Sequence, residues 1–158
     1  MNPTSNKSDF KDLTTNLRDL AYSYLERYSP SKQQLKVHLL KKYLTKIKGT
    51  KSKKEVTAII DEIILGLEKN KILDDGLYSD SKARMFLRRG YSLNKINQSL
   101  RNKGIESKYI KQSIDKIKED EIEPDFVSAL KLCKRRRIGP LRPDANRELF
   151  YKKDMGIL

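Results

Sequence analysis

"FLRRGYSLNKINQSLRNKGI", residues Phe86 to Ile105, places a glycine and a serine between two amphipathic runs. Gly90 favours the end of one helix, Ser92 favours the start of the next, and Gly104 favours the end of that second helix. The stretch therefore predicts a helix, a tight turn and another helix. Such a pair is compatible with a DNA-reading helix-turn-helix, or with one unit of a helical repeat.

The same pattern occurs a second time, upstream, in "YSPSKQQLKVHLL". There Ser31, Leu35 and Leu39 have the spacing of Ser92, Ile96 and Leu100. Further positions match in the same way. Val56, Ile60 and Asp61 have the spacing of Ile110, Ile114 and Asp115. The pair Ala21 and Leu25 has the spacing of two later pairs, Ala83/Leu87 and Ala129/Cys133. A helix pair that recurs along a chain is more often a packing unit than a DNA-recognition motif, so the spacing indicates an internal repeat.

The repeat predicts an all-α fold of tandem three-helix repeats that form an elongated, curved array. The expected divisions are a flexible N-terminal segment at 1–12, a first repeat at 13–73, a second at 74–121, and a third, incomplete repeat at 122–158. Within these divisions, we expect a first helix from Leu13 to Tyr28 and a second helix capped by Ser29. A polar loop, "KGTKSKK", is expected to be mobile. Asp125 leads into a later helix, and a last helix is expected around Ala145 to Lys153.

The composition is that of a thin-cored helical protein. Of 158 residues, 37% are hydrophobic and 35% charged, with no tryptophan, so the core must be shared among amphipathic helices. The apolar runs are too short for a membrane span, and the N-terminus lacks the apolar region of a signal peptide. Cys133 is the only cysteine, which excludes an internal disulfide and fits a reducing compartment. We expect a cytoplasmic protein.

A net charge of +14 and a pI near 9.8 are the strongest global signals. They favour a polyanion or an acidic protein surface as partner. A solvated lysine-rich surface without a partner is the alternative explanation. The charge therefore indicates a kind of partner and says nothing of the fold.

Catalytic chemistry is poorly supported by the residue types. His38 is the only histidine and borders the Leu35/Leu39 stripe, where a packing or surface role is expected. One Cys and one His are too few for a common zinc site, and no glycine-rich phosphate loop occurs. The acidic pairs stand at helix ends, where capping explains them. We expect no enzyme activity and no catalytic, cofactor-binding or metal-binding residues.

Basic side chains are the better candidates for function. Cations at helix C-termini interact favourably with the dipole, but this explains one or two charges per helix and not four in a row. Arginine, in a chain rich in lysine, favours bidentate recognition of anions. The candidate residues, which we call the basic surface, are Arg88, Arg89, Arg101, Lys134, Arg135, Arg136, Arg137 and Arg142.

Sequence-specific DNA readout is the weaker interpretation of Phe86–Ile105. Only Asn94, Asn97 and Gln98 on the second helix suit base edges, and the same turn recurs at Ser31. A repeated helix-packing unit explains both the few polar side chains and the recurrence of the turn.

Three segments of the chain resemble the RecX family, regulators of the bacterial RecA recombinase, and in particular its alphaproteobacterial type. They are "LAYSYLERYSPSKQQLKVHLLKK" (20–42), "ILDDGLYSDSKARMFLRRGYSLNKINQSLRNKGI" (72–105) and "ALKLCKRRRIGPLRP" (129–143). The second segment is the most specific. The family's tandem three-helix fold agrees with the repeat found by spacing. Related chains continue into further helices beyond the region of "KKDMGIL", so the third repeat is expected to be incomplete.

The resemblance implies a monomeric protein that binds RecA and the RecA–single-stranded-DNA filament. It implies inhibition of filament extension, ATP hydrolysis, strand exchange and coprotease activity, and so modulation of DNA repair and recombination in the SOS response. Direct contact with single- or double-stranded DNA stays open, and no membrane partner or cofactor is implied. The alternative from the residues alone is a stand-alone basic helical module that binds nucleic acid.

Overall fold

The computed structural model describes residues 5–47 and 52–157, and the described residues form helices and turns without a strand. The helices are α1 (Ser5–Arg27), α2 (Lys32–Lys42), α3 (Lys53–Lys69), α4 (Asp75–Arg88), α5 (Leu93–Arg101), α6 (Ser107–Asp120), α7 (Pro124–Arg136) and α8 (Asp144–Met155). A π-helical turn, Tyr43–Ile47, follows α2, and a 3-10 turn, Gly139–Leu141, precedes α8. The prediction of an all-α protein is confirmed.

The described chain divides into two compact units. Unit 1 contains the residues up to Tyr78 together with Lys103–Ile105, and unit 2 contains Ser79–Asn102 and the residues from Glu106 onward. The expected boundaries at 73/74 and 121/122, the flexible segment 1–12 and the elongated, curved array all stay predictions.

Two helices of unit 1 begin with the same reciprocal cap. The Ser31 hydroxyl oxygen accepts from the Gln34 N–H, and the Gln34 side chain accepts from the Ser31 N–H. Ser52 and Glu55 form the equivalent box at the start of α3. Each box satisfies two backbone donors that a helix start would otherwise leave unpaired, so both helices have a defined first residue.

Hydrogen bonds distant in sequence fix the start of α2 within unit 1. The Ser31 hydroxyl donates to the Lys103 carbonyl at 2.8 Å. The Lys32 N–H donates to an Asp75 carboxylate oxygen at 2.9 Å, and the Lys32 ammonium pairs with Glu68 at 2.8 Å. Ser31 is fully buried and Asp75 nearly so. These side chains therefore position α2 within the unit as well as capping it.

The core of unit 1 lies between α1, α2 and α3. The third helix contributes the widest apolar face. The buried cluster consists of Leu13, Leu17, Ala21, Leu35, Leu39, Tyr43, Val56, Ile59, Ile60, Ile63, Ile64, Leu67 and Leu73.

In unit 2, helix α7 lies directly against the turn between α4 and α5. Gly90, at a φ of +80°, follows the last turn of α4. A β-carbon at Gly90 would lie 2.9 Å from the Ser128 carbonyl oxygen and 3.1 Å from the Leu132 nitrogen. Glycine is needed here for two reasons, the left-handed backbone and the approach of another helix. The approach places the end of α4 beside the middle of α7.

Helices α4 and α6 of unit 2 are joined by a polar cluster. The Ser113 hydroxyl lies 2.8 Å from the Ser79 hydroxyl and 2.6 Å from an Asp80 carboxylate oxygen. Lys116 pairs with the other Asp80 oxygen, and Arg84 pairs with Asp120 at 2.8 Å. Because every member has a partner, this cluster orients the two helices rather than forming a reactive site.

Two expected helix starts are wrong in detail. The first helix begins at Ser5 and not at Leu13. Ser31, and not Ser29, caps α2, because Ser31 has Gln34 three residues later and can form the reciprocal cap. Asp125 lies in the first turn of α7, as expected, and its carboxylate accepts the Leu93 N–H of α5 at 2.6 Å. That bond joins two helices far apart in sequence, which local patterns do not reveal.

Other local expectations are confirmed. Ser92 caps α5 by accepting from the Lys95 N–H, and Gly104 has a φ of +75° just beyond that helix. The last helix, Asp144–Met155, covers the expected residues 145–153. The expected loop "KGTKSKK" falls largely on 48–51, outside the described residues.

Burial at equivalent positions is compatible with the internal repeat. Leu35 and Leu39 of α2 and Ile96 and Leu100 of α5 are all fully buried. So are Ala21 of α1 and Ala83 of α4. These six matched positions therefore face a core in both units.

Among the described helices, none combines the length and apolar composition that a bilayer crossing requires.

Candidate basic contact surface

The eight residues of the basic surface belong to unit 2 and stand near the ends of helices. Arg88 and Arg89 end α4, Arg101 ends α5, and Lys134–Arg137 end α7. All of these side chains are exposed. Only Arg142, in the segment before α8, is partly buried.

The end of α7 keeps its four cations in solvent because the backbone itself closes the helix. Arg137 adopts a left-handed conformation at a φ of +50°, and its N–H donates to the Cys133 carbonyl. The Ile138 N–H donates to that same carbonyl at 3.2 Å, and the Ile138 side chain is buried. This closing turn caps the Cys133 carbonyl with two backbone N–H groups and no side chain. The arginine head groups are therefore available for a partner.

Arg135 and Arg136 line a cleft with residues of the α4–α5 turn. The cleft has a volume of about 610 Å³, and Lys95 supplies a third cation. Tyr91 and Ser128 also line it, as does Asp125, whose carboxylate is bound to the Leu93 N–H. We call this the cationic cleft.

A second cleft runs along α5. It has a volume of about 580 Å³ and is lined by Asn94, Asn97, Gln98 and Arg101, together with Ser92 and Lys95, which also line the cationic cleft. We call it the amide cleft. Arg135 and Arg136 thus line one cleft and Arg101 lines the other. Arg88 and Arg89 precede Gly90, a residue of the cationic cleft, whereas Lys134 and Arg137 lie outside both linings.

Arg142 differs from the rest of the basic surface because its charge is already paired. Its guanidinium donates two hydrogen bonds to the Asp154 carboxylate, at 2.8 and 2.6 Å, and lies over the Phe150 ring. The side chains of Arg142 and Asp154 are 19% and 6% exposed. A bidentate buried pair of this kind holds the last helix to the segment before it. The sequence offered no sign that Asp154 would be the partner.

The Arg142–Asp154 pair makes a pH-dependent contribution to the stability of unit 2. Hydrogen bonds from Arg142, and then from the Gly139 N–H, lower the pKa of Asp154 from 3.8 to about 2. Since the folded pKa is depressed, the pair stabilises the fold above pH 3.8 and loses its contribution as the pH falls toward 2. We expect Asp154→Asn to lower the thermal midpoint at pH 5, and the difference from wild type to shrink toward pH 2. A difference independent of pH would contradict this assignment.

His38 and Cys133 occupy packing positions. The His38 ring stacks on Tyr24 with centroids 3.9 Å apart, and burial, then the nearby Lys42 and Lys41, lowers its pKa. Cys133 is buried at the end of α7. Within the residues that the structure describes, no three His, Cys, Asp or Glu side chains are grouped to hold a metal ion.

Three site features were not expected from the sequence. Tyr91 and Lys95 line the cationic cleft, and Ser128 is buried there with no hydrogen-bond partner for its hydroxyl among the described residues. Tyr91 follows a turn glycine and Lys95 is one of many lysines, so neither residue type is distinctive. Ser128 sits in α7 with nothing in the local pattern to mark it. Only the packing of α7 on Gly90 brings them together.

Comparison with known proteins gives one informative similarity. The chain is 30% identical, over 146 residues, to the regulatory protein RecX of Myxococcus xanthus (strain DK1622). The alignment covers 91% of this chain and 77% of that relative. No protein-family model matches the chain, and no solved structure matches it.

Proposed function

The chain belongs to the RecX family of regulatory proteins, and on that premise we propose that it regulates a RecA-type recombinase by binding the recombinase and its filament on single-stranded DNA. The observation that carries the proposal is the similarity to a regulatory protein over 91% of the chain. Bound along the filament, the protein inhibits filament extension, ATP hydrolysis, strand exchange and coprotease activity. It acts in the cytoplasm as a monomer and modulates recombination and repair during the SOS response.

The exposed cations of unit 2 support the proposal chemically. Arg88, Arg89, Arg101 and Lys134–Arg137 offer charge-assisted hydrogen bonds to acidic side chains or phosphates, and none of them is buried. Their field also steers association with a filament that carries both kinds of anion, so binding weakens with salt. We leave Arg142 out of the contact, because Asp154 holds its guanidinium within the fold.

Titration into a RecA ATPase reaction at fixed DNA tests the proposal. We expect inhibition at amounts well below one protein per recombinase monomer, because a protein that blocks extension acts on many subunits at once. Binding to naked DNA at physiological salt should be much weaker.

The stand-alone nucleic-acid module is the second candidate, and the net charge of +14 favours it. A module of that kind competes for DNA, so its inhibition requires enough protein to coat the strand and disappears when DNA is in excess. Inhibition with that stoichiometry would replace the first proposal with the second.

A further inference from the structure

The turn between α6 and α7 exposes two large apolar side chains. Ile122 is 91% exposed and Phe126 is 60% exposed. Phe126 also lines a cleft with a volume of about 540 Å³, whose other lining residues are Leu93, Lys118, Glu123, Pro124 and Asp125. Asp125 lines the cationic cleft as well, whereas the other five lie outside both clefts described above. Apolar surface that is grouped in this way is typical of a contact site.

Hydrogen bonds at both ends hold this turn in a defined conformation. The Glu121 N–H donates to the Ile117 carbonyl at 3.0 Å, and the Glu123 carbonyl accepts from the Val127 N–H at 3.1 Å. Between these bonds Glu123 has a φ of +52°, which is unfavourable for a residue that has a β-carbon and precedes a proline. Ile122 is therefore presented to solvent on an ordered turn.

The same turn concentrates negative charge in a strongly basic chain. Residues 119–125, which we call the acidic turn, contain five acidic side chains and no cation, although the chain has a net charge of +14. Asp120 is already paired with Arg84. The acids for which the described residues provide no ion-pair partner are Glu119, Glu121 and Glu123.

Helix capping explains only part of this charge. Glu123 and Asp125 lie at the start of α7, where the helix dipole favours anions. Glu119 and Glu121 lie at the end of α6, where the dipole favours cations instead. Their position opposes the local field, and cations of a partner would offset that repulsion.

We propose that the acidic turn is a docking surface for a basic segment of another protein, one that also carries a large apolar side chain. The apolar side chain fills the cleft beside Phe126 and covers Ile122. Lysines or arginines next to it pair with Glu119, Glu121 and Glu123. In such an interface the apolar anchors contribute most of the affinity, while the exposed ion pairs select the partner.

Charge complementarity favours this occupant over a second copy of the same chain. Two chains that each have a net charge of +14 repel one another, whereas a short basic segment meets only the local carboxylates. The inference does not rest on the proposed regulation of a recombinase, because the residues that carry it lie outside the basic surface.

Subtractive selection from a library of short random peptides tests the proposal. The library first passes over the variant Ile122→Ser/Phe126→Ser, which removes peptides that bind elsewhere, and is then selected on the wild-type protein. We expect the enriched peptides to be basic and to contain a large apolar residue. Fluorescence anisotropy should show that the double variant binds them about tenfold more weakly or worse, since truncating anchor residues commonly has that effect.

The matched control is Leu149→Ser/Tyr151→Ser, which removes two exposed apolar side chains of α8 in the same unit. It should bind the selected peptides as wild type does. If no peptide survives the subtraction, or the survivors are acidic or uncharged, the proposal is overturned. Sedimentation that shows self-association of wild type but not of Ile122→Ser/Phe126→Ser would assign the surface to a second copy, and would overturn it too.

Glu119→Lys/Glu121→Lys provides a second variant in case the first fails to fold. It should weaken binding of the selected peptides by about three- to tenfold at low salt, because attraction becomes repulsion, and the difference should shrink as salt rises. Asp19→Lys/Glu26→Lys changes the net charge equally at two exposed acids of α1 and should cost about twofold at most. Equal losses in the two charge variants would contradict docking at the acidic turn.

Discussion

Gly90→Ala should destabilise the protein by roughly 3–4 kcal/mol. An alanine in the left-handed region costs about 1–2 kcal/mol, and overpacking a filled site costs about 1–3 kcal/mol more. The second term applies because the new methyl would lie 2.9 Å from the Ser128 carbonyl oxygen and 3.1 Å from the Leu132 nitrogen. Both are backbone atoms of α7, which can move only if the helix moves. Urea unfolding followed by far-ultraviolet circular dichroism measures the loss.

Substitutions at two other glycines separate the cost of the left-handed backbone from the cost of overpacking. Gly139 has a φ of +58° and open space around its α-carbon, so Gly139→Ala carries the backbone cost of about 1–2 kcal/mol alone. Gly66 lies inside α3, also with open space, and Gly66→Ala should stabilise by about 0.5–1 kcal/mol. If Gly90→Ala and Gly139→Ala lower the free energy of unfolding by the same amount, α7 does not pack against the α4–α5 turn.

Reversing the charges of Arg135 and Arg136 should weaken binding to the recombinase filament by about 30-fold or more at moderate salt. Hydrogen bonds from charged groups contribute about 1.5–3 kcal/mol each, and like charges facing each other add repulsion. The loss of one such bond, about 2 kcal/mol, already corresponds to that ratio. The measurement is the affinity of Arg135→Glu/Arg136→Glu for preformed filaments at several salt concentrations. The dependence on salt should be flatter than in wild type.

Lys53→Glu/Lys54→Glu is the matched control, because it changes the net charge equally at two adjacent, exposed cations of α3. It should weaken binding by no more than about threefold, through the loss of long-range steering alone. Glutamate at the end of α7 also opposes the helix dipole, so Arg135→Gln/Arg136→Gln serves as a milder variant. Equal losses in the two charge reversals would remove the end of α7 from the contact and leave only general attraction.

Local signals in the chain were sufficient for the helices and most of their ends. Ser92 predicted the start of α5, and Gly90 and Gly104 predicted the ends of two helices, where both adopt left-handed conformations. These features depend on interactions within one or two turns of the chain, which a sequence displays directly. The basic surface was likewise visible as a run of charges.

Contacts between residues far apart in sequence decided which partners several of these side chains have. The position of Asp125 at the start of α7 did not show that it accepts the Leu93 N–H, and Arg142 looked like a contact residue but is paired with Asp154. The local pattern is the same with either partner, so it could not choose between them.

The amino-acid sequence by itself determined the all-α class, the spacing of the repeated caps and the concentration of cations at helix ends. Only the tertiary structure decided that α7 packs against Gly90. This contact creates one cleft, which is lined by Tyr91, Lys95, Ser128, Arg135 and Arg136. The physical reason is that hydrogen-bonded turns and apolar stripes depend on neighbours along the chain. A cleft depends on which backbone can approach which, and here the missing side chain of one glycine allows that approach.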